Sequence, residues 1–335
     1  LTDDRVEVAI VGAGISGLSA AYELSRRQRS FIVLEARDKP GGIVQTERVD
    51  EFLIDKGPDA LLVQKPAALE LCGELGLTER LIPTSTPRTA FVLRKGTLHP
   101  LPGGSVLGFP TRLKPLFRSR LFSMPAKVRM AAELVVRKRR ESGDESIAAF
   151  VRRRFGAEAV TYIAEPLLAG IHAGDVDRLS MRALFPRLIE AESRAGSVIR
   201  AFRGDRGIPS PDGPFRSFPN GLGELVDGLV AAVPSESLRC RSKVVRIDEQ
   251  DGFTIHFEKD PPARARALIL AIPGFAIAGL LQPIDAHLSA ECASIQYLST
   301  ATVVFAFPRD AIGHNLQGTG FVVPRTEGMS ITAGA

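Results

Sequence analysis

Three glycines and a carboxylate carry the first chemical signal in this chain of 335 residues. The glycines fall in the run Gly12-Ala13-Gly14-Ile15-Ser16-Gly17, and Glu35 closes the next apolar segment. Glycine at these spacings permits a sharp turn, lets backbone approach a pyrophosphate, and packs a helix closely on a strand. The N–H groups at the start of such a helix, with its partial positive charge, suit phosphate oxygens. An acid at the end of the second strand is placed to accept hydrogen bonds from a ribose. The chemistry these residues predict is dinucleotide binding by Gly12, Ala13, Gly14, Ile15, Ser16, Gly17 and Glu35. The plain alternative is a glycine turn in an ordinary βαβ unit. The elements that must position the site are legible on either side. Val6, Val8, Ile10 and Val11 form an apolar, mostly β-branched run, residues 18–24 an Ala/Leu-rich helix, and Phe31-Ile32-Val33-Leu34 a second strand.

The following residues, Glu35-Ala36-Arg37-Asp38-Lys39-Pro40-Gly41-Gly42, add a second glycine pair. This arrangement resembles the FAD-binding amine oxidase superfamily, in which that pair lies along the flavin nucleotide. Within it the chain is similar to the oxygen-dependent protoporphyrinogen and coproporphyrinogen oxidases. The likeness is carried by Ile54-Asp55-Lys56-Gly57-Pro58-Asp59-Ala60, by Leu98-His99-Pro100-Leu101-Pro102-Gly103-Gly104 and above all by the stretch from Glu165 to Met181. Ser217-Phe218-Pro219-Asn220-Gly221-Leu222 and Gly320-Phe321-Val322-Val323-Pro324 continue it in family order. The resemblance implies an α/β fold: a Rossmann-like FAD-binding domain of glutathione-reductase type, a substrate domain and an inserted helical domain. The expected division is 1–80 and 206–275 for the FAD domain, 81–205 for a hairpin and helical insertion, and 276–335 for an incomplete substrate domain. Family members continue past this point, so a C-terminally truncated chain is expected.

Composition bounds the reading. Hydrophobic content is ordinary for a globular protein, no apolar run reaches membrane-spanning length, and the dinucleotide strand begins almost at once, so no signal peptide is expected. The three cysteines, Cys72, Cys240 and Cys292, have neither disulfide nor metal-ligand spacing, which points to reduced thiols and a cytoplasmic setting. Tryptophan is absent and aromatics are few, against a base-stacking nucleic-acid surface. The net charge of +5 is uneven, since 111–155 holds 13 Lys/Arg against 4 Asp/Glu. The favoured expectation there is a solvated helical face. The alternative is a peripheral contact with an anionic membrane, on the inner face of the cell membrane, which the resemblance supports.

Helices are expected over 67–77, 126–138, 146–154, 158–168, 180–192 and 224–233. Hairpins are expected around Lys95-Gly96 and Asp251-Gly252, further strands over 267–272, 302–307 and 320–324, and a Gly/Pro-rich loop over 203–214.

What the resemblance implies is oxidation of protoporphyrinogen IX to protoporphyrin IX. Six electrons leave in two-electron steps to FAD, and molecular oxygen then takes them as hydrogen peroxide. Coproporphyrinogen III is the alternative substrate. FAD contacts are implied at the glycine turn, Glu35, Ala36, Arg37, Gly41, Gly42, Gly57, Pro58, Asp59 and Val244. Arg88 and Arg94 flank a hairpin strand and are candidates for substrate propionates, because a guanidinium binds carboxylates bidentately. Ala169, Gly170 and Ile171 are candidates for substrate contact, with a helix C-cap as the structural alternative for Gly170. His172 and His99 are expected to be structural. The five histidines show no metal spacing, so no metal is expected. No nucleophile elbow, HExxH or paired-cysteine motif occurs. A related amine oxidase or desaturase and a non-catalytic flavin-binding fragment stay open, as does a homodimer.

Overall fold

The structure is a computed structural model describing residues 5–139, 143–169, 174–204, 212–315 and 317–335. The chain divides into two units, one of 1–84, 211–297 and 301–305, the other of 85–210, 298–300 and 306–335.

The first unit is built on strand β1 (Arg5–Val11), helix α1 (Ile15–Arg26) and strand β2 (Phe31–Leu34). Its six-stranded sheet runs Leu238–Arg239, β2, β1, Ala263–Leu270, Phe253–Phe257, Val244–Glu249. The first four strands are parallel and the last two are added antiparallel. Period-two alternation explains why β1 and β2 are apolar at almost every position. Ile10, Phe31 and Val33 pack on the side of α1 and the helix Gly223–Ala231, with Leu18, Ala21, Leu225 and Leu229. Ala9, Val11, Ile32 and Leu34 face the other way, onto Ile255 and Ala265. Each large side chain so buried contributes about 1.5–3 kcal/mol of hydrophobic transfer free energy. The hairpin between the antiparallel strands turns at Asp251 (φ 48°) and Gly252 (φ 95°), as the Asp-Gly pair predicts. The last parallel strand starts earlier than its apolar run, because Arg264 and Arg266 point outward while Ala265 is buried between them.

In the second unit a mixed sheet of four short strands runs Ala333–Gly334, Gly320–Val322, Ala90–Arg94, Thr97–Pro100. Because Gly320–Val322 pairs in parallel with Ala90–Arg94, the C-terminal strands belong to the unit that holds the helices. Ser123, Ser146 and Ser180 accept the N–H groups of Ala126, Ala149 and Ala183, capping helices Met124–Ala131, Ile147–Phe155 and Met181–Leu184. The expected helix over 180–192 is split by Pro186, whose ring forbids helical backbone before it, and restarts as Pro186–Ala195. The expected helix over 158–168 is a π-helix, Val160–Ala169, with Pro166 inside it. Proline lacks an N–H and clashes with the carbonyl four residues back, and a widened turn accommodates both.

Two expectations are corrected. Residues 302–307 adopt no strand: the segment is irregular, and Val303, Val304, Phe305 and Phe307 are exposed. The basic stretch 111–155 is also not simply a solvated face. Arg154 is fully buried, donating from Nε to Glu133 Oε1 at 2.8 Å and from Nη2 to the Gly196 carbonyl at 3.0 Å. Arg153 grips Glu192 through Nη1 at 2.7 Å and Nη2 at 2.9 Å. Arg129 reaches the carbonyls of Arg153 and Arg154, and Lys127 that of Phe117. These four cations hold the helices together, with apolar Phe150, Phe155, Ile163 and Leu188 around them.

Candidate functional site

The glycine turn sits between β1 and α1, and its three glycines have separable jobs. Gly12 has φ +102°, and a Cβ there would lie 2.6 Å from the Ala271 carbonyl oxygen. A Cβ on Gly17 would lie 1.9 Å from the Gly12 carbonyl oxygen, so only glycine lets α1 pack on the turn. Gly14 differs. Its backbone (φ −73°, ψ −179°) suits any residue, and the nearest atom to a Cβ would be Gly42 Cα at 3.8 Å. A side chain at Gly14 would thus meet only Gly42, at ordinary contact distance. Gly14 caps the helix without a side-chain bond, and the N–H groups of Ile15, Ser16 and Gly17 lack intrahelical acceptors by helix geometry.

Glu35 is buried at the end of β2. Its Oε2 accepts from the Ala13 N–H and its Oε1 from the Arg37 N–H, both at 2.9 Å. Two lone-pair directions of the carboxylate stay available for ribose hydroxyls. The Gly41 N–H donates to the Ala13 carbonyl at 2.8 Å, and Arg37 Nη1 to the Gly42 carbonyl at 3.1 Å. The second glycine pair is thus laid against the first turn, with Gly41 at φ +114° and Gly42 at φ +63°. Ala36 follows Glu35 directly, and Val244 packs on the cluster formed by Val11, Ile32 and Leu34. Gly57 lies against the backbone of Ile43, where a Cβ would be 2.0 Å from the carbonyl oxygen. Pro58 is exposed, as is Asp59, whose carbonyl accepts Ser217 Oγ at 2.7 Å. Burial pushes the Cys240 thiol up, helped by the charges of Glu35 and Asp38, which makes it a poor nucleophile.

Sequence reasoning missed a polar knot that holds this site. Thr46 Oγ1 donates to Asp55 Oδ1 and accepts the Gly223 N–H at 2.9 Å, while Asp55 Oδ1 also accepts the Leu222 N–H at 3.0 Å. Gly221 (φ +80°) passes so close that a Cβ would be 2.4 Å from Thr46 Cγ2. Two stretches singled out separately in the sequence meet here. Asp55 was visible within the first of them, but nothing local marked Thr46.

In the second unit, Arg94 Nη1 donates to the Leu121 carbonyl, and its guanidinium lies over the Tyr162 ring, 4.9 Å from the centroid. That occupies Arg94 in packing the hairpin on the helices. Arg88 is half-buried just before the same strand. The backbone of Ala169 ends the π-helix, whereas Gly170, Ile171 and His172 lie outside the described residues. Arg325, which the sequence did not single out, bonds on both sides of that gap: Nε is 3.3 Å from Glu165 Oε1 and Nη2 donates to the Gly174 carbonyl at 3.4 Å. Burial raises the Glu165 carboxyl above its ordinary value, against the opposing pull of Arg325. No metal-ligating cluster occurs among the described residues.

The cradle at Gly14, the α1 N-terminus and the anchored Glu35 fit the ADP half of FAD. Comparison with known proteins agrees. Residues 15–334 match the flavin containing amine oxidoreductase family. The chain is 31% identical over 349 residues to a coproporphyrinogen III oxidase of Bacillus subtilis, covering 99% of this chain and 73% of that protein. It is 29% identical to a chloroplastic protoporphyrinogen oxidase of Nicotiana tabacum, over 97% of this chain and 62% of that one. A crystal structure from Exiguobacterium sp. 255-15, provisionally assigned as a protoporphyrinogen oxidase, superposes with a TM-score of 0.82 at 31% identity, covering 98% of this chain and 72% of the other.

Proposed function

The chain belongs to the flavin containing amine oxidoreductase family, and from that premise we propose that it oxidises a porphyrinogen to a porphyrin in haem biosynthesis, with coproporphyrinogen III as substrate. The protein is an FAD-dependent oxidoreductase. The observation that carries the substrate is the likeness to the Bacillus subtilis coproporphyrinogen III oxidase along 99% of the chain. Protoporphyrinogen IX is the second reading, favoured by the likeness to the plant enzyme and to the Exiguobacterium structure. Bound FAD supplies a two-electron acceptor that oxygen restores, so six electrons from one porphyrinogen reduce three O2 to three H2O2.

The chain's own residues bind and position. The α1 N-terminus and Gly14 take the diphosphate, Glu35 the ribose, and the Arg37 contact to Gly42 holds the second glycine pair in place. Gly57, Pro58, Asp59 and Val244 are proposed flavin and adenine neighbours, and Arg88, Ala169, Gly170 and Ile171 substrate neighbours. Arg94 is proposed to act through the packing of its strand. A peripheral contact with an anionic lipid surface through 111–155 is proposed alongside, supported by exposed Met124, Val128 and Val135 in a stretch that also exposes Arg137 and Lys138. No helix of the described residues is long and apolar enough to cross a membrane.

The test is porphyrin fluorescence on mixing the FAD-supplemented chain with each porphyrinogen, against enzyme-free autoxidation. A faster rise with coproporphyrinogen III is expected. A faster rise with protoporphyrinogen IX would move the assignment to the second reading, and no rise with either, despite bound flavin, would sink the oxidase reading.

A further inference from the structure

We propose that a cationic cleft in the second unit binds the carboxylates of a tetrapyrrole, an inference that rests on the porphyrinogen reading and adds a holding site to it. Two sets stand out among the thirteen cations of the basic stretch. Lys127, Arg129, Arg153 and Arg154 are spent on carbonyls and carboxylates inside the helical body. Arg112, Lys114, Arg118 and Arg120 instead line one cleft, of about 810 Å3, together with His99. Leu98, Leu101 and Pro115 add apolar wall, and no acidic side chain lines it.

That composition is selective. Four cations gathered without a counter-charge repel one another, and an anion placed among them relieves the repulsion. The volume lies in the range of small-molecule clefts, which are apolar with a few convergent polar groups. Three of the four cations are arginines, whose planar guanidinium binds a carboxylate bidentately. A single phosphate would engage one or two of them and leave the apolar wall uncovered. A flat apolar body carrying several carboxylates satisfies both features, and a tetrapyrrole with four propionates has that chemistry. Helix Leu113–Arg118 carries Lys114 and Arg118 with Arg112 at its N-cap, strand Thr97–Pro100 carries His99, and Arg120 follows the helix by two residues.

Coproporphyrin III, the stable tetracarboxylate, is titrated into the full chain, with its fluorescence as the readout. Arg118→Gln/Arg120→Gln should weaken binding about tenfold or more, the scale of one lost charge-assisted hydrogen bond. Lys114→Gln should weaken it less. The charge-matched Arg137→Gln/Lys138→Gln, outside the cleft, should stay within twofold. Raising the salt concentration should weaken binding to the wild type more than to the double cleft variant. Equal affinity of wild type and Arg118→Gln/Arg120→Gln would overturn the proposal, as would displacement of the porphyrin by equimolar inorganic phosphate, which would make the cleft a phosphate site. The oxidase assay runs in parallel on the same proteins. Binding that depends on Arg118 and Arg120 without any oxidation sinks the reaction alone, and oxidation without that dependence sinks the cleft alone.

Discussion

Replacing Gly14 by alanine should separate folding from cofactor binding. A Cβ at Gly14 meets nothing nearer than Gly42 Cα at 3.8 Å, and the backbone there is ordinary extended conformation. Alanine is a poorer N-cap than glycine by a fraction of a kcal/mol up to ~1 kcal/mol. Fewer unfolded conformations return about 0.4–1 kcal/mol. The two nearly cancel, so the melting temperature should move by no more than a few degrees. The new methyl nevertheless sits at the N-cap of α1, where the diphosphate is proposed to bind. Losing one charge-assisted hydrogen bond, about 1.5–3 kcal/mol, corresponds to about 10- to 150-fold in Kd. FAD titration by quenching of flavin fluorescence, beside a circular-dichroism melt, measures both quantities on one sample. Gly17→Ala is the contrast: its Cβ would be 1.9 Å from the Gly12 carbonyl oxygen, backbone that cannot yield, so stability and flavin binding should fall together. If Gly14→Ala folded and bound FAD within threefold of wild type, the assignment of this cradle to the diphosphate would be wrong.

Glu35→Gln should weaken FAD binding by about tenfold or more, because an amide cannot accept at both terminal atoms and must release either the Ala13 or the Arg37 N–H; equilibrium dialysis of flavin checks it. Arg154→Met should destabilise the helical unit by about 3–5 kcal/mol in urea unfolding, since it strands the Glu133 carboxylate in a fully buried position. Glu192 is pushed up by burial but more strongly down by Arg153 and the Arg139 N–H, for a net pKa below its ordinary 4.5. A depressed carboxylate stabilises above its unfolded pKa and loses that contribution as pH falls through the folded one, so acid unfolding below about pH 4.5 should be blunted in Glu192→Gln. Glu165 has the opposite sign: its raised pKa favours the fold while protonated, and Glu165→Gln should flatten the loss of stability as pH rises above 4.5.

What the sequence made legible follows from how local each cause was. The glycine turn, β1, α1 and β2 were readable because each rests on neighbours within a few residues: an apolar period, a helix start, a φ that glycine alone adopts freely. The hairpins at Lys95-Gly96 and Asp251-Gly252 were readable for the same reason, and both turn at positive φ. The failures share a different cause. Residues 302–307 are a β-branched and aromatic run that reads as a strand, yet a strand requires ladder pairing, which composition alone cannot supply. Pro186 and Pro166 both sit in helical pattern, and the chain breaks at the first but widens through the second.

The basic stretch teaches the most, because charge counting treats every cation alike. Arg152, Arg153 and Arg154 are adjacent in sequence, but on a helix they point about 100° apart, so their environments cannot be the same. Arg152 is exposed and reaches Asp177 only at 4.0 Å, Arg153 bridges Glu145 and Glu192, and Arg154 is sealed against Glu133. Their partners lie between 8 and 39 residues away, beyond any local pattern. A cation paired with a carboxylate in this way has most of its outward field cancelled, so the face that 111–155 offers to a partner is weaker than its composition suggests. Four of the remaining cations, Arg112, Lys114, Arg118 and Arg120, line one cleft. Net charge per segment therefore misstates the chemistry of this region, because four of its thirteen cations line one cleft while others are locked to carbonyls and carboxylates inside the helical body.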